Sequence, residues 1–192
     1  MRLNGEKSNL LFISRGKNFD KENYALHLFN DVVRPVEKAK FLGIDIDNSF
    51  SFKNHVDSIS NKASKRINVL KVLAYNGTKP EILMKLYKSY IRPIIEYGSI
   101  AFISAPKSQM ERLQQIENTA IRTCLRLPKY IRNSLLHEYA SLEPLSVRLI
   151  RFNVKLLNIM KSNNEHIQQL ITDHIHAEEG ILSPLDVIAG IR

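Results

Sequence analysis

The sequence "KFLGIDIDNSFSFKNHV", residues 40–56, contains the point at which the hydrophobic pattern of the chain changes. Before it, "NLLFIS" (9–14) and "AKFLGIDI" (39–46) are short apolar runs of the kind that form buried strands. After it, apolar residues recur every three or four positions, which is typical of amphipathic helices. The stretch therefore predicts a small β-containing part followed by a helical part.

Four helices are predicted after this change. The first begins at Ser51 and ends near Gly77, because glycine commonly follows a helix. The second extends to about Arg92, where Pro93 breaks or kinks it. The third follows "SAPKS", and the fourth begins at Pro144. The apolar stripes are Phe52, Val56, Ile59, Ala63, Ile67, Leu70 and Leu73 in the first helix, Met110, Leu113, Ile116, Ala120 and Cys124 in the third, and Leu145, Leu149, Phe152, Leu156 and Ile159 in the fourth.

The predicted fold class is mainly α, a helical bundle preceded by a small two-strand β part, or α+β overall. Two strands with a loop between them cannot bury a sheet face alone, so residues 1–50 are interpreted as the end of a larger sheet. Residues 51–161 form the predicted helical domain. Residues 162–192 are weakly periodic and acidic, and they are interpreted as a tail.

The composition limits the class of protein. An apolar content of 44% supports a hydrophobic core in a chain of 192 residues. The single cysteine excludes an internal disulfide and fits a reducing intracellular compartment, nucleus or cytoplasm. No segment has the length and apolar character of a signal peptide or a membrane span, so we expect a protein that is neither secreted nor membrane-bound.

The net charge of +9 is unevenly distributed along the chain. It is +1 over residues 1–50, +12 over residues 51–161 and −4 over residues 162–192. The helical part is therefore expected to attract a polyanion such as nucleic acid. A solvated helical surface is the alternative, and net charge alone does not separate the two.

The spacing of the basic residues favours nucleic acid. Two sets of three cations are spaced three and four positions apart, so each set aligns on one face of its helix. Rows of cations with few interleaved acids suit a phosphate backbone, whereas ordinary surface helices mix the two signs. The two sets are Lys85, Lys88 and Arg92, and Arg148, Arg151 and Lys155; shorter groups are Lys62 with Lys65 and Arg66, and Arg122 with Arg126.

Few residues are candidates for metal binding or catalysis. Asp45 and Asp47 share a face of the predicted strand, and paired carboxylates hold metal ions in phosphoryl-transfer enzymes. The same "DIDNS" is also typical of a turn that ends a strand, and no third ligand lies nearby. The tail segment "DHIHAEE" (173–179) lacks the spaced partner of a zinc site. Cys124 lies on an apolar helix face, which favours a buried thiol over a nucleophile. We expect no metal site and no catalytic residue.

Four blocks of the sequence, in this order, resemble the reverse transcriptases of non-LTR retrotransposons of the jockey type. The resemblance covers residues 3–160. The blocks are "LNGEKS" (3–8) with "LLFIS", then "KFLGIDIDNSFSFKNHV", then "LYKSYIRPIIEYGSIAF" (86–102), then "LQQIENTAIRTCLRLP" (113–128).

The resemblance implies a role for each block. The first two blocks close the palm of such a polymerase, and the helices form its thumb, which grips the template–primer duplex. The matching positions are Leu3, Asn4, Lys7, Ser8, Phe41, Leu42 and Gly43 for the palm end, and Leu86, Tyr87, Ile91, Arg92, Pro93, Glu96 and Tyr97 for the thumb.

The chain departs from the family pattern at the catalytic site. In the family, an aromatic-Ala-Asp-Asp hairpin that binds metal precedes the Leu-Asn-x-x-Lys block, and this sequence begins immediately before that block. The resemblance therefore implies a fragment of an RNA-directed DNA polymerase that retains template–primer binding and is inactive by itself. It implies no cofactor for the fragment, although the parent polymerase uses Mg²⁺. Asp45 and Asp47 then lie where the palm turns into the thumb, and they are interpreted as structural.

The composition also fits a second function. The chain is alternatively a helical module derived from a transposon that binds proteins and has no nucleic-acid role. The expected partners are an RNA–DNA duplex, the missing palm, or further copies of the chain through open sheet edges. No membrane partner is expected.

Overall fold

The computed structural model describes residues 4, 7–13, 24–29, 31–103 and 105–169. The chain divides into two compact units between Ser58 and Ile59, inside the first long helix. The predicted tail beyond residue 169, with its 173–179 cluster, lies outside the described residues, as do Leu3 and the part of the predicted loop at 14–23.

The first unit contains short strands that pair two by two. Within the described residues, each sheet has two strands. The predicted strand at 9–14 is present in part, as the first of them. The pairs are β1 (Leu10–Leu11) parallel to β4 (Pro35–Val36), β2 (Leu26–Leu28) antiparallel to β3 (Asp31–Val33), and β5 (Lys38–Phe41) antiparallel to β6 (Ile44–Asp47).

The prediction of a single strand at 39–46 is wrong, because Leu42 and Gly43 reverse the chain between β5 and β6. Both residues have positive φ, 46° and 84°, as a type I′ turn requires in a two-residue hairpin. This turn usually has the sequence Asn-Gly, so the leucine concealed it within an apolar run. The register places two lysines of β5 opposite the two aspartates of β6, and such oppositely charged neighbours stabilise a strand pair.

Asp47 caps the turn that follows this hairpin. Its Oδ1 accepts hydrogen bonds from the backbone N–H of Ser49 at 3.0 Å and of Ser51 at 2.9 Å, and from the Ser49 hydroxyl at 2.6 Å. Its Oδ2 accepts the Ser51 hydroxyl at 2.9 Å. Burial raises the pKa of the Asp47 carboxyl, but the hydrogen bonds from both serines outweigh burial and hold that pKa below its usual value. Asp47 is therefore a structural residue.

The described part of the chain is mainly helical from Lys53 onwards, which confirms the predicted fold class and the four predicted helices. No helix in that part is long and apolar enough to cross a membrane. The helices are α1 (Lys53–Tyr75), α2 (Pro80–Leu86), a π-helical turn (Tyr87–Ile91), α3 (Arg92–Glu96), α4 (Ser99–Phe102), α5 (Lys107–Leu125), α6 (Asn133–Ala140) and α7 (Leu145–Asn163).

The second predicted helix does not end at Arg92. The π-helical turn joins α2 to α3, and the helical path continues to Glu96. In this turn the Arg92 N–H donates to the Tyr87 carbonyl, five residues earlier. Pro93 has no N–H to donate. Because the π-helical turn is wider than an α-helical turn, the helix continues through the proline without a break.

Helix α5 forms the centre of the second unit, where it packs against α2, the π-helical turn, α6 and α7. Its buried apolar side chains include Leu113 and Ile121. The Gln114 Oε1 accepts the backbone N–H of Leu145 at 2.7 Å, which satisfies the first turn of α7. Helix α6 was not predicted from the sequence, because eight residues are too few for a clear periodic pattern.

The predicted inner stripe of α7 is wrong at two positions. Phe152 and Ile159 are 50% and 48% exposed, whereas Arg148 and Asn153 are buried. The buried face of α7 is therefore partly polar, and its apolar residues do not by themselves identify it.

We expect Asp47→Ala to destabilise the chain by about 1–3 kcal/mol, because two serines lose their acceptor. The difference should shrink on acidification. A carboxyl with a lowered folded-state pKa contributes its stability above the unfolded pKa, about 3.9, and loses it as the pH falls through the folded pKa. Urea unfolding of variant and parent, at neutral pH and at about pH 3, measures both effects.

Asp45→Ala is the matched control on the same strand. The Asp45 carboxylate lies 3.9 Å from His55 Nδ1 and is partly exposed, and it caps no turn among the described residues. Equal losses of stability in the two variants would contradict the capping role of Asp47.

Candidate nucleic-acid interface

The eleven predicted nucleic-acid-binding residues divide by residue type. The five lysines are exposed, and within the described residues their ammonium groups have no ion-pair or hydrogen-bond partner. The six arginines all contact other parts of the protein. The lysines are Lys62 and Lys65 on α1, Lys85 on α2, Lys88 in the π-helical turn and Lys155 on α7.

Arg148, which was predicted to belong to a row of cations that binds nucleic acid, is a buried residue of the core. Its guanidinium is 5% exposed and pairs with two carboxylates. Nε lies 2.5 Å from Oε1 of Glu96, and a terminal nitrogen donates to Glu117. The other terminal nitrogen donates to the Glu143 carbonyl at 3.0 Å. A buried charge must be paired, and the two carboxylates supply the counter-charge that Arg148 needs.

Glu117 links three helical segments at this point. It lies on α5, is fully buried, and accepts hydrogen bonds from Arg148 of α7 and from the Tyr87 hydroxyl of the π-helical turn. Burial raises the pKa of the Tyr87 phenol, and the Glu117 charge raises it further. Burial alone would lower the pKa of Arg148, but the carboxylates of Glu117 and Glu96 outweigh it and raise that pKa. Arg148 therefore stays charged at any physiological pH.

Two further arginines are neutralised by glutamates. Arg92 Nε lies 2.7 Å from Oε1 of Glu96, one helical turn away. Arg151 donates to Glu143 at 2.6 Å. Their positive charges are therefore partly offset before any ligand arrives.

The remaining three arginines contact neutral groups, and no carboxylate among the described residues offsets their charge. Arg66 donates to the Tyr90 carbonyl, and its guanidinium carbon lies 4.1 Å from the centroid of the Tyr90 ring. The other two donate to oxygens at 2.7–3.0 Å: Arg122 to the Ile131 carbonyl and the Asn133 side chain, and Arg126 to the carbonyls of Ala74 and Thr78.

A basic cleft of about 710 Å³ lies in the second unit. Among the described residues, four cations and no carboxylate line it. Two of these cations, Lys71 and Lys129, were missed by the sequence analysis because they belong to no row of helical spacing. The lining cations are Lys71, Arg122, Arg126 and Lys129, and the lining amides and hydroxyls are those of Gln115, Asn118, Thr119, Thr123 and Asn133.

The predicted palm-end residues form local turns. The Lys7 N–H donates to Oδ1 of Asn4 at 3.3 Å, and the Ser8 hydroxyl donates to the Asn4 carbonyl at 2.8 Å. These bonds give a local reason for the asparagine and the serine of the Asn-x-x-Lys-Ser pattern, whereas Lys7 takes part only through its backbone N–H. Phe41, Leu42 and Gly43 form the end of β5 and its turn.

Asp45 and Asp47 do not fit a two-magnesium site. The oxygens of Asp47 are occupied by the serine hydrogen bonds, and the Asp45 N–H donates to Nδ1 of His55 at 3.3 Å. No group of three or more potential metal ligands occurs among the residues that the structure describes. His55, which the sequence analysis did not single out, is a buried partner of this strand.

Cys124 is a buried thiol. Its Sγ donates to the Leu83 carbonyl at 3.4 Å, and burial raises the pKa of the thiol to about 12. A thiol with this pKa forms very little thiolate near neutral pH, so it is not an activated nucleophile.

Comparison with known proteins gives matches to curated polymerases of transposable elements from Drosophila melanogaster. A probable RNA-directed DNA polymerase from transposon BS is 26% identical over 140 residues, 67% of this chain and 16% of that protein. One from transposon X-element is 29% identical over 101 residues, 52% of this chain and 11% of that protein. The RNA-directed DNA polymerase from mobile element jockey is 24% identical over 135 residues, 69% of this chain and 14% of that protein.

These relatives confirm the resemblance to reverse transcriptases of non-LTR retrotransposons. The chain spans between 11% and 16% of the length of each relative, so the similarity concerns a limited part of such a polymerase. No family model and no solved structure gives a match.

We expect Arg148→Met to destabilise the chain by about 3–5 kcal/mol, because Glu117 would be left buried without its cation. Arg151→Met is the matched control on the same helix. Its pair with Glu143 is largely exposed, so the loss should stay within about 1 kcal/mol. Chemical denaturation followed by circular dichroism measures both.

A double variant, Arg148→Met with Glu117→Gln, should lose less stability than the sum of its two single variants, since it removes both charges together. Additive losses, or an Arg148→Met variant as stable as Arg151→Met, would contradict a structural role for the buried network.

Proposed function

We propose that this chain is part of an RNA-directed DNA polymerase of a non-LTR retrotransposon and that its helical unit binds the template–primer duplex. The sequence carries no aromatic-Ala-Asp-Asp signature, and Asp45 and Asp47 do not fit a metal pair. The proposed role is therefore binding of nucleic acid rather than nucleotide transfer.

One contact carries the proposal, because it joins two basic segments. Arg66 of α1 binds both the carbonyl and the ring of Tyr90 in the π-helical turn. Lys62 and Lys65 precede Arg66 by about one helical turn or less. The exposed lysines Lys85 and Lys88 precede Tyr90 on its own segment, so this contact holds two lysine-bearing segments against each other.

The charge of this surface suits a phosphate backbone. Residues 59–70 of α1 contain three basic residues and no acid. Exposed ammonium groups on flexible side chains can follow phosphates on either strand and carry no sequence information. An RNA–DNA hybrid approaches A-form geometry, so recognition here should depend on shape and charge rather than on base sequence.

We expect the double variant Lys85→Gln/Lys88→Gln to bind blunt RNA–DNA hybrids more weakly than the parent chain. The loss of affinity should be the same for hybrids of unrelated base sequence. Removing one phosphate contact lowers the slope of log affinity against log salt by about 0.9, so the slope should fall by up to about 1.8. Fluorescence anisotropy titrations over a series of salt concentrations measure this. The melting temperature should not change, because neither side chain has a partner within the described residues.

Lys107→Gln/Lys161→Gln is the control with the same net charge. Lys107 is 91% exposed and lies 3.9 Å from Glu111, and Lys161 is exposed near the end of α7. If the two double variants reduce affinity and salt slope equally, the effect belongs to net charge, and the proposed surface is wrong.

A second candidate function, binding to another copy of the chain, rests on the apolar surface of the first unit. Phe29, Phe41 and Leu42 are 69%, 65% and 73% exposed. Exposed apolar groups on short strand pairs favour association with further chains. Such association does not exclude binding of nucleic acid by the helical unit.

We expect Phe41→Thr/Leu42→Asn to reduce self-association of the chain. Asparagine tolerates the positive φ at residue 42 and is the preferred residue there, so the hairpin is retained. Sedimentation velocity at several concentrations measures association, and circular dichroism checks that the helical signal is unchanged. Tyr139→Ser, which removes a 64% exposed ring of α6, serves as control. Equal association of the parent and the hairpin variant would overturn this second function.

A further inference from the structure

The basic cleft differs from the proposed duplex surface in the way its charges are held. Arg122 and Arg126 are fixed by hydrogen bonds to neutral oxygens. Their geometry is therefore set before a ligand arrives, while their positive charge is retained. Lys71 and Lys129 are exposed and can adjust to a ligand. A cleft lined by four cations repels metal ions and attracts phosphates.

The volume of the cleft limits what can enter it. About 710 Å³ lies within the range of roughly 300–1,000 Å³ that is typical of sites for small ligands. A short stretch of one nucleic-acid strand fits a space of this size, whereas a duplex can only lie across its mouth. The amides and hydroxyls of the lining can donate to phosphate oxygens or to base edges.

Two exposed tyrosines directly follow lining residues of the cleft along the sequence. Tyr75 follows the lining residue Ala74 at the end of α1, and Tyr130 follows the lining residue Lys129. Their side chains are 92% and 87% exposed, although aromatic side chains usually bury most of their surface. Exposed rings beside a basic groove are the combination by which proteins hold single strands, since bases stack on the rings and the groove follows the phosphates.

We propose that this cleft is a binding site for single-stranded nucleic acid, separate from the duplex surface that carries Lys62, Lys65, Lys85 and Lys88. Arg122 and Arg126 hold phosphates of the strand, Lys71 and Lys129 extend the contact along the backbone, and Tyr75 and Tyr130 stack on bases. The site does not depend on the duplex surface, so it can be tested independently.

The test compares a labelled oligothymidylate of about 12 nucleotides with a blunt RNA–DNA hybrid, both bound to the full chain and followed by fluorescence anisotropy. Tyr75→Ala/Tyr130→Ala should weaken binding of the single strand by at least about fivefold, the lower end of the effect of losing a stacked base. Binding of the hybrid should change by less than about twofold. Tyr139→Ala is the control for loss of an exposed ring outside the cleft.

A second pair of variants tests the charge of the cleft. Lys71→Gln/Lys129→Gln should lower the salt slope for the single strand by up to about 1.4, at about 0.7 for each phosphate contact. Lys85→Gln/Lys88→Gln should lower the slope for the hybrid and leave the single strand nearly unchanged. Lys107→Gln/Lys161→Gln should change neither slope by a comparable amount.

Tyrosine fluorescence gives an additional readout, because the chain has seven tyrosines and no tryptophan. Oligothymidylate should quench the emission of the parent, and Tyr75→Ala/Tyr130→Ala should remove most of that quenching.

The proposal is overturned if the tyrosine variant binds the single strand as tightly as the parent, or if its affinity for single strand and hybrid falls by the same factor. Reduced binding of the hybrid alone in Lys85→Gln/Lys88→Gln would support two separate surfaces, whereas an equal reduction for the single strand would contradict them.

Discussion

The buried carboxylate of Glu117 is the constraint on which the helical unit depends. A charge without access to water needs a counter-charge and hydrogen bonds, and removing either leaves a large uncompensated desolvation cost. Arg148 from α7 and Tyr87 from the π-helical turn supply them. These two segments are therefore held in register against α5, because a slip of either would separate Tyr87 or Arg148 from Glu117.

The same network explains why arginine and lysine have different roles in this protein. A guanidinium offers several N–H donors in a fixed plane, so it can join carboxylates and carbonyls from different helices. An ammonium group on a flexible stem gains little from such a position and stays in water. Arg148 and Lys155 belong to one row of helical spacing, yet Arg148 is 5% exposed and Lys155 is exposed. Positive charge counted along the sequence therefore overestimates the charge that a ligand can contact.

Much of the fold follows from local patterns, whereas the arrangement of the candidate site does not. The apolar period from Val56 to Leu70 identifies α1 because apolar residues dominate its buried face. The buried face of α7 is not predicted correctly, since Arg148 and Asn153 are buried with partners on other helices. A local pattern cannot reveal such partners. The β5–β6 hairpin was missed because Leu42 occupies a position that normally takes asparagine. The cleft brings together Lys71 and Lys129, which lie far apart in the sequence.

The π-helical turn has a consequence for which residues of this region share a face. A turn closed by bonds to the fifth residue contains one residue more than an α-helical turn, and each residue of an α-helix advances the path by about 100°. Side chains after Ile91 are therefore rotated out of phase with Lys85 and Lys88, so Arg92 leaves their row. Its partner Glu96 lies four residues further along and is rotated with it. In an uninterrupted α-helix, by contrast, Lys85 and Arg92 would lie seven residues and nearly two whole turns apart, on one face. One wide turn thus separates, on the surface of the protein, three cations that share one row of helical spacing in the sequence.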